Sequence, residues 1–189
     1  MGSKSLKEKK TFSIERILKA ASEVFSEMGF AGARMDEIAR RAGLNKAMIY
    51  YRIGDKNALY GAVLHNFFSA YAKRIVEHTK AGSSPEEKLK LFVRNTVRTI
   101  EKEGGIAPIM MHELASGTRT LPEVVAQDFA LIISTLAAIL KKGERSGVFI
   151  RTNPIFVHMM IVGTVLFYKM SSPVRISIDQ ASDVLKKMK

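Results

Sequence analysis

Cysteine is absent from the 189 residues, which excludes disulfide staples, thiol nucleophiles and thiolate metal sites. Acid is scarce beside base: 18 Asp and Glu against 30 Lys and Arg, a net charge of +12. That surplus favours an anionic partner, either nucleic acid or an acidic membrane surface. Long hydrophobic runs are missing. The longest, Ile155 to Phe167, is interrupted by His158, Gly163 and Thr164, short of the roughly 20 residues that a membrane span needs. The N-terminal stretch is charged and holds no apolar signal core, and Leu6 stands where a myristoylation signal needs a hydroxyl. A cytoplasmic protein without a membrane partner is therefore expected. No strand pattern, internal repeat, metal-ligand spacing or phosphate loop is evident, so no metal, cofactor or enzymatic activity is expected.

What is present is helical periodicity, in a chain that is 47% hydrophobic. The stretch from Arg34 to Ile53 reads as a helix-turn-helix. Met35, Ile38, Ala39 and Ala42 recur at helical spacing. Gly43 stops this helix, and Asn45 caps the next from Lys46. On that second helix Ile49 and Ile53 share a buried side, Ala47, Met48 and Tyr51 lie opposite, and Lys46, Tyr50 and Arg52 flank them. Small, aromatic and cationic groups on a short helix suit a major groove. A helical hairpin with solvated charges fits the same residues. Charge does not separate the two readings: residues 1–60 hold 12 Lys and Arg against 7 Asp and Glu, and the remainder 18 against 11.

The flanking residues add a resemblance. Ile17 to Ala21, Phe25 to Phe30, Met35 to Ala39, Ala42 to Leu44, Ile49 to Tyr51 and Lys56 to Leu59 follow one another without a gap. This order resembles the N-terminal domain of the tetracycline-repressor-like (TetR) family. The resemblance covers roughly residues 12 to 65. It implies a DNA-binding regulator in which Tyr50 and Lys56 meet phosphate and Lys46, Ala47, Met48, Tyr51 and Arg52 stand at the groove. Two positions depart from the family pattern. Ala33 and Arg34 stand where a hydroxyl usually caps the helix, so Arg34 is expected to meet phosphate by charge. Ile53 replaces a frequent Phe and can still fill the core.

The fold expected is all-α: a three-helix helix-turn-helix DNA-binding unit over residues 1–55, then an all-helical ligand-binding and dimerisation domain over 56–189, about nine helices in all. Lys4, Lys7, Lys9 and Lys10 form a basic arm, read as disordered, that could touch DNA or stay solvated. The first helix runs from about Ser13 to Met28, with Ile14, Ile17, Leu18, Ala21, Val24, Phe25 and Met28 as its apolar stripe and Gly29 as its stop. A long helix from about Lys56 to Lys80 ties the DNA unit to the second domain. Ser84 with Glu87, and Thr120 with Glu123, read as capping boxes. A short helix spans about Ala107 to Ala115. Asn153 begins a helix to Met170 that is apolar nearly all round and is expected to be buried on all sides. Ser171 to Pro173 breaks it, and a last helix starts near Ser177.

The helix from Asn153 to Met170, with the last helix, is the candidate homodimer interface; a buried core helix of a monomer is the alternative. By resemblance, such a dimer reads a palindromic double-stranded operator, and the middle of the chain holds a pocket for a small-molecule effector. Phe67, Tyr71, Phe92, Met110, Met111, His112, Phe129 and Met159 are the candidates to line it, although Met and Phe at helical spacing are more often core. The long helix is expected to transmit the effect of ligand to the DNA unit. A non-DNA small-molecule-binding protein and a membrane-surface helical protein are the competing readings. An enzyme built on His112, Glu113 and Asp128 is disfavoured, because adjacent residues of a helix point in different directions.

Overall fold

The computed structural model describes residues 2–103, 105–117 and 121–178, with side chains from residue 13 onward. The helices are α1 (Gly2–Gly32), α2 (Met35–Ala42), α3 (Lys46–Arg52), α4 (Lys56–Thr79), α5 (Pro85–Lys102), α6 (Ile106–Ala115), α7 (Glu123–Arg145) and α8 (Pro154–Met170). A short α9 (Ser172–Ile178) completes them. No strand occurs among the described residues.

Helix α1 starts at Gly2, so the basic arm read as disordered continues the helix instead. Ile17, Ala21, Val24 and Phe25 are buried as the stripe predicts. Met28, on the same stripe, is exposed. It stands in the last regular turn, because Gly29 (φ 65, ψ 176) breaks the helical path there. The expected stop at Gly29 is thus a kink and then a further turn. Arg41 of α2 makes a two-pronged bond to Glu27 of α1, both contacts 2.7 Å, and Arg16 of α1 donates to the backbone carbonyl of Ala42. These contacts hold α2 across α1.

Helix α4 serves two assemblies. Near its start Tyr60 packs edge-on against Phe25 (ring centroids 4.8 Å apart) and tilts against Phe30 (5.0 Å). Further along, Phe68, Tyr71, Ala72 and Ile75 are buried where α4 packs on α5 and α7. One buried cluster therefore runs unbroken from Ile17 in α1 to Leu140 in α7. Asp55 caps α4 by accepting from the Ala58 amide at 2.9 Å.

The capping box at Ser84 forms with a shift. Ser84 accepts from the Glu87 amide, while the Glu87 carboxylate reaches Ser83, accepting from its amide (2.8 Å) and its hydroxyl (2.6 Å). The residue before α7 is Pro122, which offers no side-chain cap; Thr120 of the second expected box lies outside the described residues. By length and composition α7 could cross a membrane. Val125, Ile132, Leu136, Ile139 and Leu140 are buried on one side of it, where it packs against α4, α5 and α8.

Helix α8 departs most from expectation. Only His158 and Leu166 are buried. Phe156, Met160 and Phe167 face outward, Phe167 at 71% exposure. The chain bends by 56° after Met170 and resumes as a helix at Ser172, sooner than the expected start near Ser177. Most of the expected last helix, residues 179–189, lies outside the described residues.

Candidate nucleic-acid interface and ligand cavity

The helix-turn-helix is fixed by local chemistry. Gly43 ends α2 in the left-handed conformation (φ 62, ψ 39), its amide donating to the carbonyls of Ala39 and Arg40. A residue with a Cβ adopts that conformation only with strain. Asn45 caps α3 by accepting from the Ala47 amide at 2.9 Å. Ile49 is fully buried, so α3 is pinned by one side and shows the other. Ala47, Met48, Tyr50 and Tyr51 are exposed, and Tyr51, at 87%, is the most prominent of them.

The expected cations are placed unequally around this face. Arg34 is exposed at the start of α2 and provides no side-chain cap. Lys46 pairs with Asp36 at 3.0 Å. Arg52 is half-buried at the edge of the face. Lys56 donates to the Ala31 carbonyl at 3.2 Å and lies over the Phe30 ring, 4.7 Å from its centroid. An ammonium carries three donors, so Lys56 retains capacity toward a phosphate while it clamps the end of α1. Behind the face, Arg40 and Arg41 both bond Glu37 and hold its carboxyl down at about 2. Helical periodicity does not single out these two arginines, which brace α2.

A cavity of about 240 Å³ lies among α4, α5, α6, α7 and α8. Five of the expected lining residues meet there: Phe67, Tyr71, Met110, Phe129 and Met159. Three do not. Phe92 is fully buried beside His158, with ring centroids 6.3 Å apart, and belongs to the core. Met111 and His112 are exposed on other faces of α6. His112 stands beside Gly29 instead, where an added Cβ would meet its ring at 3.2 Å. Helical spacing alone cannot separate Met110 from Met111, because the choice depends on where α6 crosses its neighbours.

The cavity wall is almost wholly apolar. Its polar members are Tyr71, Thr99 and His158. The Tyr71 hydroxyl bonds Thr96 Oγ1 at 2.7 Å, and burial pushes its pKa up to about 12. His158 is buried and its Nε2 has no hydrogen-bond partner. Burial also holds its imidazole below the ordinary histidine range, in the neutral form. A wider, polar cleft of about 640 Å³ lies between α1 and α4, lined by Lys19, Glu23 and Arg74 among others, and shares Phe67 and Ile106 with the apolar cavity.

Helix α6 has the cavity on one face and the DNA unit on another. Ile106, Met110 and Leu114 line the cavity. Glu113 accepts from the Tyr60 hydroxyl at 2.7 Å, and α6 packs along α1. The long helix α4 is therefore not the sole path between the two regions. No cluster of His, Asp and Glu that could hold a metal ion occurs among the described residues.

Comparison with known proteins locates this arrangement. Residues 17–63 match the family described as bacterial regulatory proteins, tetR family. Residues 85–178 match the tetracyclin repressor-like C-terminal domain. The HTH-type transcriptional regulator RutR of Escherichia coli is 25% identical over 157 residues, covering 83% of this chain and 74% of that one. The crystal structure of HlyIIR, a hemolysin II transcriptional regulator, superposes with a TM-score of 0.69 at 27% identity over 94% of this chain and 97% of that one. FadR of Bacillus subtilis, solved with stearoyl-CoA, superposes with a TM-score of 0.72 over 86% of this chain and 88% of that one; at 21% identity it shows a shared fold.

Proposed function

The chain belongs to the tetR family of bacterial regulatory proteins, and on that premise we propose how its geometry performs the work of a ligand-responsive DNA-binding transcriptional regulator. One observation carries the reading: α3, capped by Asn45 and pinned by Ile49, presents Ala47, Met48 and Tyr51 outward on a braced scaffold. Such a helix enters a major groove, where an aromatic edge and methyl groups meet base edges. Tyr50, Arg34 and Lys56 take neighbouring phosphates, Lys46 reaches the groove by leaving Asp36, and Arg52 reads from the rim.

A second copy of the chain completes the reader. Phe156, Met160 and Phe167 recur at helical spacing on the outer side of α8. Gly163 lies on the same side, with open space where a Cβ would project. A patch of this kind is unusual on a monomer surface, and it disfavours the reading of α8 as a monomer's core helix. Paired about a two-fold axis, the faces bring two α3 helices to one side, matching a palindromic operator. Residues 1–55 are the DNA unit, and residues 56–189 hold the effector and the dimer contact. The regulator acts as a repressor in the cytoplasm.

Ligand in the cavity displaces α6, whose far face bonds Tyr60 and packs on α1. The effector acts only by its difference in affinity for the DNA-competent and incompetent states. Family members are regulators rather than enzymes, and the apolar cavity fits binding rather than catalysis.

The test is selection of bound sequences from a random duplex pool at about physiological salt. Enrichment of a palindrome with half-sites about one helical turn apart, or a multiple of it, is expected. Salt-sensitive binding without any enriched sequence would refute the operator-reading role.

A further inference from the structure

We infer that the effector is a compact, uncharged, apolar molecule with a single hydroxyl, which enters the cavity and bonds His158 Nε2. This rests on the ligand-responsive reading for the place of the site and goes beyond it in naming the chemistry.

Three observations converge. The first is size. A volume of about 240 Å³ is small for a ligand site. It lies below the roughly 300–1,000 Å³ of sites for drug-sized ligands. Met110 and Met159 in the wall can adjust to shape, but a long acyl chain with a nucleotide head is far larger. Leu114, Ile155 and Met159 are exposed as well as lining. They mark the mouth, between α6 and α8.

The second is charge. Among the described residues, no Lys, Arg, Asp or Glu lines the cavity. A carboxylate or ammonium placed there would lose its hydration without gaining an opposite charge, and burial of an unpaired ion is strongly unfavourable. Burial keeps His158 neutral, so it does not supply the missing cation.

The third is the unpartnered nitrogen. His158 is 4% exposed, its ring set edge-on to Phe92 and Phe129 at centroid distances of 6.3 and 6.4 Å. Its Nε2 has no hydrogen-bond partner. Buried polar atoms are nearly always satisfied, so an unsatisfied one on a side chain that lines the cavity calls for a partner. The tautomer decides whether Nε2 donates or accepts, and a hydroxyl can do either. Tyr71, another buried hydroxyl at the wall, is already engaged by Thr96.

The experiment is isothermal titration calorimetry of the full chain with three probes of matched length: 1-octanol, octanoate and 1-chlorooctane. Octanol is expected to bind at least about tenfold more tightly than octanoate at neutral pH. His158→Leu should weaken octanol about tenfold, a difference of about 1.4 kcal/mol, and leave 1-chlorooctane within about twofold. If His158→Leu does not fold, His158→Gln serves instead: it retains a polar group and should keep octanol within about threefold of wild type. Octanoate binding as well as octanol, octanol binding unchanged in His158→Leu or tenfold weaker in a folded His158→Gln, or no probe binding at all would overturn the inference. The same probes added to the protein bound to its selected duplex separate the two claims. Octanol binding without any change in DNA affinity would support the ligand class and defeat the ligand-responsive reading. DNA release by octanoate alone would do the reverse.

Discussion

The Tyr60 hydroxyl donates to Glu113 Oε1 at 2.7 Å across 53 positions of sequence, with both residues about 1% exposed. Tyr60 also packs on Phe25 and Phe30 of α1, while the helix that carries Glu113 lines the apolar cavity. One buried bond thus joins the wall of the cavity to the aromatic cluster under the DNA-binding unit. Tyr60→Phe should cost about 1–3 kcal/mol in urea unfolding, because a buried acceptor loses its donor. In a double-mutant cycle with Glu113→Leu, which removes the acceptor, a coupling of at least about 0.5 kcal/mol is expected. Strictly additive losses would show that the bond contributes nothing.

Gly29 is a backbone constraint where α1 passes α6. Its φ of 65 and ψ of 176 lie in a region that is essentially open to glycine alone, and a side chain there costs about 1–3 kcal/mol. Gly29→Ala should lower the melting temperature by roughly 2–4 °C for each kcal/mol. The added Cβ would also approach the His112 ring at 3.2 Å. His112 is exposed and able to move, so His112→Ala should restore little of the loss. Full restoration would place the cost in the side-chain contact.

Tyr51 and Lys56 should separate by the kind of DNA contact they make. Tyr51→Ala should weaken the selected operator by about 1–3 kcal/mol and random duplex much less, with Arg52→Ala relaxing specificity at a single base pair. Lys56→Ala should weaken all duplexes alike and reduce the salt slope by about one. Equal losses on operator and random DNA for Tyr51→Ala would make it a backbone contact. Fluorescence anisotropy across a salt series measures all three.

In the proposed dimer the outer face of α8 forms the contact between the two copies. Phe167→Asp and Met160→Asp place a charge on a side chain that is already exposed in the single chain, so helicity should stay unchanged. Sedimentation should shift toward monomer, and affinity for a palindrome should fall far more than affinity for a half-site. A dimer that survives both substitutions would assign the contact to another surface.

Glu37 predicts the acid limb of stability. Bonds from Arg40, then Arg41, hold its carboxyl down to about 2 from an ordinary 4.5. The unfolded chain therefore takes up this proton before the folded one does. The stability it contributes is present above about pH 4.5 and is lost as pH falls through about 2. Melting temperatures over that window should fall less steeply in Glu37→Gln. Identical slopes would mean that the pairs do not persist in solution. The group is solvent-exposed, so salt should blunt the difference.

Much of the DNA-binding unit was legible because its determinants are local. Gly43 and Asn45 act on amides and carbonyls within four residues of themselves, so a cap is readable wherever the residue and the periodicity coincide. The apolar stripe of α1 was readable for the same reason, Met28 excepted. The Lys46–Asp36 pair and the Arg41–Glu27 brace join residues on different helices, and no spacing rule pointed to them.

The sequence by itself determined that the chain is helical, where its long helices run, which side of α3 is buried and that α8 is apolar beyond what one face requires. Only the tertiary structure decided that Met110 lines a cavity while Met111 faces outward, that Phe92 is core, that α8 leaves a broad apolar face uncovered and that His158 is buried without a partner at Nε2. Helical periodicity specifies a residue's angle about its own axis. What that angle faces depends on how helices far apart in sequence cross, and this is set by the packing of the whole core.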